Sequence, residues 1–88
     1  MTAAETHQTR CKRMAMRAWH RGTKEMDLIL GRFADAHLAA LPPEQLDQFD
    51  ALMEENDQDL YQWVTGQTAA PASFAPLVAR IARHAGAR

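Results

Sequence analysis

Chemistry in this chain would have to come from four histidines, His7, His20, His37 and His84, from one cysteine, Cys11, and from eleven Asp and Glu carboxylates. The histidines are scattered without the spacing that places metal ligands on neighbouring turns, and Cys11 has no second cysteine to join it. His37 falls on the apolar side of a helical stretch, where a hydrogen-bonded core histidine is expected rather than a ligand. Glu54 and Glu55 are adjacent, so on a helix their side chains diverge by about 100° and cannot face each other as an acid and base pair. Asp57 and Asp59 have the opening spacing of a calcium loop, but the glycine and the terminal bidentate glutamate of such a loop are missing. There is no phosphate-cradling loop, dinucleotide glycine fingerprint or nucleophile elbow. The expectation is a protein with no catalytic residue and no metal site, which acts through exposed groups on a larger protein.

The stretch best suited to that is Arg21-Gly22-Thr23-Lys24-Glu25. Gly22 lies between two strongly helical segments, and a glycine inside a helix costs about 1 kcal/mol relative to alanine. It is therefore expected either to end the first helix with a positive φ or to let a partner's backbone come close. Arg21 and Glu25 stand four apart and could pair, but such a pair is worth only about 0.2–0.5 kcal/mol, and acid before base is the better order. Exposure of the two beside a glycine suits charge-assisted hydrogen bonds to a partner instead. Exchanging their charges, Arg21→Glu with Glu25→Arg, is then expected to leave folding intact. The candidate contact residues are Arg21, Gly22 and Glu25, flanked by Arg17, His20 and Asp27.

The elements that must position them are all helical. A first helix is expected from about Glu5 to Arg21, with Cys11, Met14, Ala15, Ala18 and Gly22 on a narrow apolar face and Trp19 at its edge. Met26, Ile29, Leu30, Phe33, His37, Leu38 and Leu41 recur at helical spacing in a second, which Pro42 and Pro43 stop. A third helix begins at Pro43 and buries Leu46, Phe49, Leu52 and Met53. Asp57 is expected to cap a fourth, which carries Leu60, Trp63 and Val64 and ends at Gly66. After a linker over residues 67–72, Ser73 is expected to cap a last helix that packs Phe74, Leu77, Val78 and Ile81. No strand alternation appears. The fold class is all-α: a single domain over residues 1–88, monomeric, built as one small bundle of about five short helices around the second, with residues 1–8 and 86–88 frayed.

A hydrophobic content of 47 % excludes intrinsic disorder, and no apolar run approaches the ~20 residues of a membrane span. The opening residues lack the apolar core of a secretory signal and are too few for a transit peptide, and the lone cysteine suits a reducing compartment, so a bacterial cytoplasm is expected. The net charge of −1 hides segregated blocks. Residues 1–24 carry six basic groups and one acidic, residues 25–63 one basic and ten acidic, and residues 64–88 three basic and none acidic. The blocks either polarise the surface toward a partner or neutralise one another within the bundle. Arg10, Arg13, Arg17, Arg21 and Lys24 form a basic ridge, but without interleaved aromatics or a helix-turn-helix pattern a nucleic-acid partner is not expected.

Two segments carry a family resemblance. Arg21-Gly22-Thr23-Lys24-Glu25, running on through Met26-Asp27-Leu28-Ile29-Leu30 to Phe33, resembles the RGxxE signature of the SdhE family of succinate dehydrogenase assembly factors, or flavinators. Asp57-Gln58-Asp59-Leu60-Tyr61-Gln62-Trp63-Val64-Thr65-Gly66 is similar to that family's D-x-D-L-x-x-W-x-x-G segment, so the resemblance covers roughly Arg13 to Gly66. It implies a small helical bundle that binds the flavoprotein subunit of succinate dehydrogenase, or of fumarate reductase, and promotes covalent attachment of FAD to a histidine there. It also implies that Arg21, Gly22 and Glu25 meet the flavoprotein, and that this chain holds no cofactor stably. Thr23, where methionine or leucine is usual, and His20, where a basic residue is frequent, depart from the pattern. Family members have also been described as antitoxins, which leaves a toxic protein partner as the alternative, with a helical RNA-binding module behind it.

Overall fold

Short polar caps and prolines set the helix boundaries in the computed structural model, which describes residues 5–87. Thr6 opens α1 (His7–Ala18), its hydroxyl accepting from the Thr9 N–H. Thr23 opens α2 (Lys24–His37) in the same way through Met26, and α2 runs on into a single 3-10 turn over Leu38–Ala40. Pro43 stands in the first turn of α3 (Pro43–Leu52), where its missing N–H costs nothing. Asn56 caps α4 (Asp57–Thr65), and the left-handed Gly66 closes it. The last helix is α5 (Ala75–Ala85). Five α-helices and no strand occur among the described residues.

The differences from expectation are local and have causes. The first helix stops at Ala18 rather than Arg21, because the Arg21 and Gly22 N–H groups are drawn to the side chains of Asp27 and Asp57 instead of to helix carbonyls. Asn56, not Asp57, is the α4 cap, which frees the Asp57 carboxylate for other partners. Ser73 caps nothing: α5 starts after Phe74 with no side-chain cap bond and with Pro76 in its first turn. Of the ends expected to fray, residues 1–4 and 88 lie outside the described residues. Thr6 to Gln8 carry cap and helix bonds, and the Ala87 N–H returns to the Ala82 carbonyl at 2.9 Å.

α2 is the spine, packed against α1, α4 and α5. Phe33, Phe49, Leu52, Trp63, Leu77 and Ile81, expected in one core, are all buried in it, together with Met14, Met26, Leu30 and Leu46. Phe33 stacks on Phe49 with centroids 5.8 Å apart, which ties α2 to α3, while Trp63 lies 6.2 Å from Phe74 and ties α4 to the start of α5. His37 is not the hydrogen-bonded core residue expected. Its half-buried ring makes ring contacts, 4.9 Å from Phe33 and 5.0 Å from His84.

Gly31, inside α2, has a packing role that periodicity alone does not show. A Cβ there would fall 2.2 Å from Cδ2 of Trp19, so the absence of a side chain is what lets the indole lie flat on the helix. The indole Nε1–H is then delivered to Asp35 Oδ2 at 3.1 Å.

Two substitutions check this packing by chemical denaturation. Phe49→Ala should lower stability by about 3–5 kcal/mol, the range for emptying a buried aromatic site. Gly31→Ala would gain about 1 kcal/mol of helix propensity but displace Trp19, so a net loss of about 1–2 kcal/mol and a red-shifted, more exposed tryptophan emission are expected.

Candidate functional site

The two motif segments meet at Arg21. Its side chain, only 11 % exposed, reaches across to the corner between α3 and α4. There Nε donates to Asp57 Oδ1 at 2.9 Å, Nη1 to the Met53 carbonyl at 2.6 Å and Nη2 to the Glu55 carbonyl at 2.8 Å. Helix ends explain both partners. Met53 and Glu55 follow the C-terminus of α3, where carbonyls lack helix donors and the dipole is negative; Asp57 is the first residue of α4, where the dipole is positive. A planar fork with several fixed donors can serve a carboxylate and two carbonyls together, which a lysine ammonium cannot do in one plane.

Asp57 also holds the loop. Its Oδ2 accepts from the Gly22 N–H at 2.6 Å, and a Cβ on Gly22 would stand 3.0 Å from that same oxygen. Gly22 does not have a positive φ, so the terminator reading fails. The close approach is real, but the group that approaches is this chain's own Asp57. Asp27 closes the other side by accepting from the Arg21 N–H.

The Arg21 side chain is therefore not exposed as expected, and it makes no pair with Glu25. Reversing its charge would set a carboxylate against Asp57 and two carbonyls, so the charge exchange would not leave folding intact. Arg17 is likewise engaged, with Asp50 at 3.1 Å and Glu54 at 2.8 Å. His20 is exposed, its Nδ1 donating to the Met16 carbonyl at 2.6 Å. Thr23, Lys24 and Glu25 are exposed, and the Glu25 carboxylate forms no hydrogen bond or ion pair among the described residues. Beside Glu25 lies a hollow of about 380 Å³ bordered by Thr23, Gln58, Tyr61 and Gln62. Tyr61 is 40 % exposed at its rim. Sequence reasoning did not single out Asp57 as the clamp or Tyr61 as part of this surface, although both stand in the second motif segment.

The basic ridge of α1 lies against the acidic face of α3. Arg10 meets Asp47 at 2.6 Å, Arg17 bridges Asp50 and Glu54, and Arg13 turns back to Glu5 at 2.9 Å, where its hydrogen bond holds the Glu5 carboxyl below its usual range. Arg10, Arg17 and Arg21 of the first charge block thus pair with carboxylates of the second, so four of the ridge's five cations, Arg13 included, are already engaged. No group of three or more His, Cys, Asp or Glu among the described residues converges as metal ligands, and none of their helices is long and apolar enough to cross a membrane.

With this geometry in place, residues 12–85 match the protein family described as flavinator of succinate dehydrogenase. The chain belongs to that family. It is similar to proteins named succinate dehydrogenase assembly factor 2, mitochondrial: 44 % identical over 61 residues to that of Meyerozyma guilliermondii, covering 69 % of this chain and 45 % of the relative. For the one from Mycosarcoma maydis the identity is 39 % over 72 residues, with 82 % and 30 % covered, and for Aspergillus terreus 40 % over 63 residues, with 72 % and 21 % covered. The chain thus spans less than half the length of these relatives. Their mitochondrial names overturn the bacterial cytoplasmic placement expected from the sequence.

The clamp predicts a separation of roles. Asp57→Ala should cost about 3 kcal/mol by leaving a nearly buried guanidinium with carbonyl partners only and freeing the Gly22 N–H. Asp59→Ala, which leaves the clamp intact, should cost no more than about 1 kcal/mol in the same denaturation experiment.

Proposed function

We propose that this chain is an assembly factor that binds the flavoprotein subunit of succinate dehydrogenase and promotes covalent attachment of FAD to a histidine of that subunit. The observation that carries this reading is the division of labour within the family's signature, set beside the family membership itself. Arg21 and Gly22 are spent on the chain's own α3–α4 corner, and that rigid corner presents Thr23, Lys24 and the unpaired Glu25 beside the hollow edged by Tyr61. An exposed carboxylate in the first turn of α2, next to a half-exposed tyrosine, suits recognition of a folded protein surface.

In this reading the chain supplies position rather than bonds. It holds no cofactor of its own and lends no group to the flavin; it fixes the flavoprotein in a geometry in which that subunit's own groups react. Of the contact residues, Glu25 meets the partner directly, and Gly22 presents a flat loop. Arg21 and Asp27 act by fixing that loop, Arg17 by fastening α1 to α3, and His20 stands at the margin. Neither the antitoxin nor the RNA-binding alternative has an observation in its favour.

The test is coexpression with the flavoprotein subunit, reading covalent flavin as fluorescence of the denatured subunit. Glu25→Arg should fold with unchanged stability and lose at least about tenfold in stimulation, the effect of reversing one charge-assisted contact. Arg21→Ala should lose stimulation in proportion to its lost stability. Full stimulation by Glu25→Arg would remove Glu25 from the interface, and absence of any stimulation by the native chain would overturn the function itself.

A further inference from the structure

The third charge block is not paired as the arginines of the first are. Residues 64–88 carry no carboxylate, and neither Arg80 nor Arg83 forms an ion pair among the described residues. Both arginines line a hollow of about 330 Å³ between α2 and α5, with Phe33, His37 and His84 as its remaining walls.

The walls are held in place. Arg80 Nη1 donates to Gln45 Oε1 of α3 at 3.1 Å, and its guanidinium lies 5.9 Å over the Phe33 ring, which leaves its other N–H groups unpaired. His84 stands edge-on to Phe33 at 5.8 Å and to His37 at 5.0 Å, so both imidazoles are fixed by aromatic contact. α2 contributes Phe33 and His37, α5 contributes Arg80, Arg83 and His84, and α3 contributes the neutral Gln45 behind Arg80. No carboxylate lines the hollow.

We propose that this hollow is a binding site for a phosphoryl group, free or as a monoester, held by Arg80 and Arg83 and by the two imidazoles. Two guanidinium groups on one helix face provide the fork donors that suit a tetrahedral oxyanion, and the rings add donors that gain charge on protonation. The electrostatics of the empty hollow agree. Burial first, then the positive charge of His84 and Arg80, pushes the His37 imidazole below its ordinary value. A depressed imidazole supports folding above the unfolded value of about 6.5, and that contribution is lost as pH falls through the folded value. A bound dianion offsets the second cause, so His37 protonates more readily in the complex. The proposal stands independently of the flavoprotein reading, because the hollow shares no residue with the Glu25 surface.

The experiment is a titration of the whole chain with sodium phosphate at constant ionic strength, made up with sodium chloride, reading the histidine ring protons by NMR. His37 and His84 should shift saturably while His7 and His20 stay still, and the His37 titration should move to higher pH. Arg80→Gln and the more exposed Arg83→Gln should each weaken binding about tenfold, the loss of one charge-assisted contact. Glycerol 3-phosphate in parallel separates the sources: equal shifts assign the site to any terminal phosphoryl group, and a response to inorganic phosphate alone assigns it to the free ion. Equal shifts in chloride, shifts spread over all four histidines, or undiminished affinity in Arg83→Gln would overturn the proposal. Should Arg80→Gln fail to fold, the Arg83→Gln result decides.

Discussion

The contact on which the rest of this fold depends is the Arg21 guanidinium set between Asp57 and the carbonyls of Met53 and Glu55. It joins the loop after α1 to the turn between α3 and α4, two places where chain direction changes and backbone groups lack helix partners. A nearly buried ion pair contributes little by itself, because desolvation offsets most of the Coulomb attraction. Here each ion also sits at the helix end that suits its sign, and the guanidinium satisfies carbonyls that would otherwise be orphaned. Removing either partner therefore leaves more than one polar group stranded, which makes the corner cooperative rather than merely stable.

The ion pairs along α1 and α3 differ in kind. Arg10, Arg13 and Arg17 meet their carboxylates at the surface, where each pair contributes roughly 0–1 kcal/mol and is screened by salt. The Phe33–Phe49 stack and the burial of Leu46 and Leu52 hold α3 with several times that energy. Core packing thus decides whether α3 docks, and the row of charges decides its register along α1. The block without carboxylates, on α5, has no such partners, and neither Arg80 nor Arg83 forms an ion pair among the described residues.

The helices were legible because apolar residues recur at helical spacing and turn chemistry brackets them: the stripe of α2, the Pro42-Pro43 stop and the Gly66 cap are all explicit in the residues. What was not legible lies where one segment's side chain answers another's backbone. Asp57 has the residue type of a cap, and only folding shows Asn56 in that role and Asp57 turned toward Arg21 and Gly22. Gly31 lies inside an uninterrupted helical pattern, where only the proximity of Trp19 explains it. His37 is on the apolar stripe, yet its neighbours are rings rather than hydrogen-bond partners. The recurrence of the two motif segments did contain the pairing, since Arg21 and Asp57 head them both, but spacing along the chain says nothing about which members of two motifs touch.

That pairing changes how the signature should be understood. A motif of arginine, glycine and glutamate invites the assumption that all three face one partner, and loss of function on changing any of them would seem to agree. In this geometry such losses have different origins. The arginine acts through the α3–α4 corner and the glycine through its approach to Asp57, so damage to either spreads into the fold. The glutamate alone is unpaired and exposed, so damage there stays on the surface. Function that survives in proportion to stability marks the first kind, and function lost at full stability marks the second. One short stretch can hold both because the internal clamp, next to a glycine, fastens the loop that leads into the first turn of α2, where the acid faces outward. In the proposed reading, Glu25 is presented in a helix turn already formed in the free protein, so binding need not order it again.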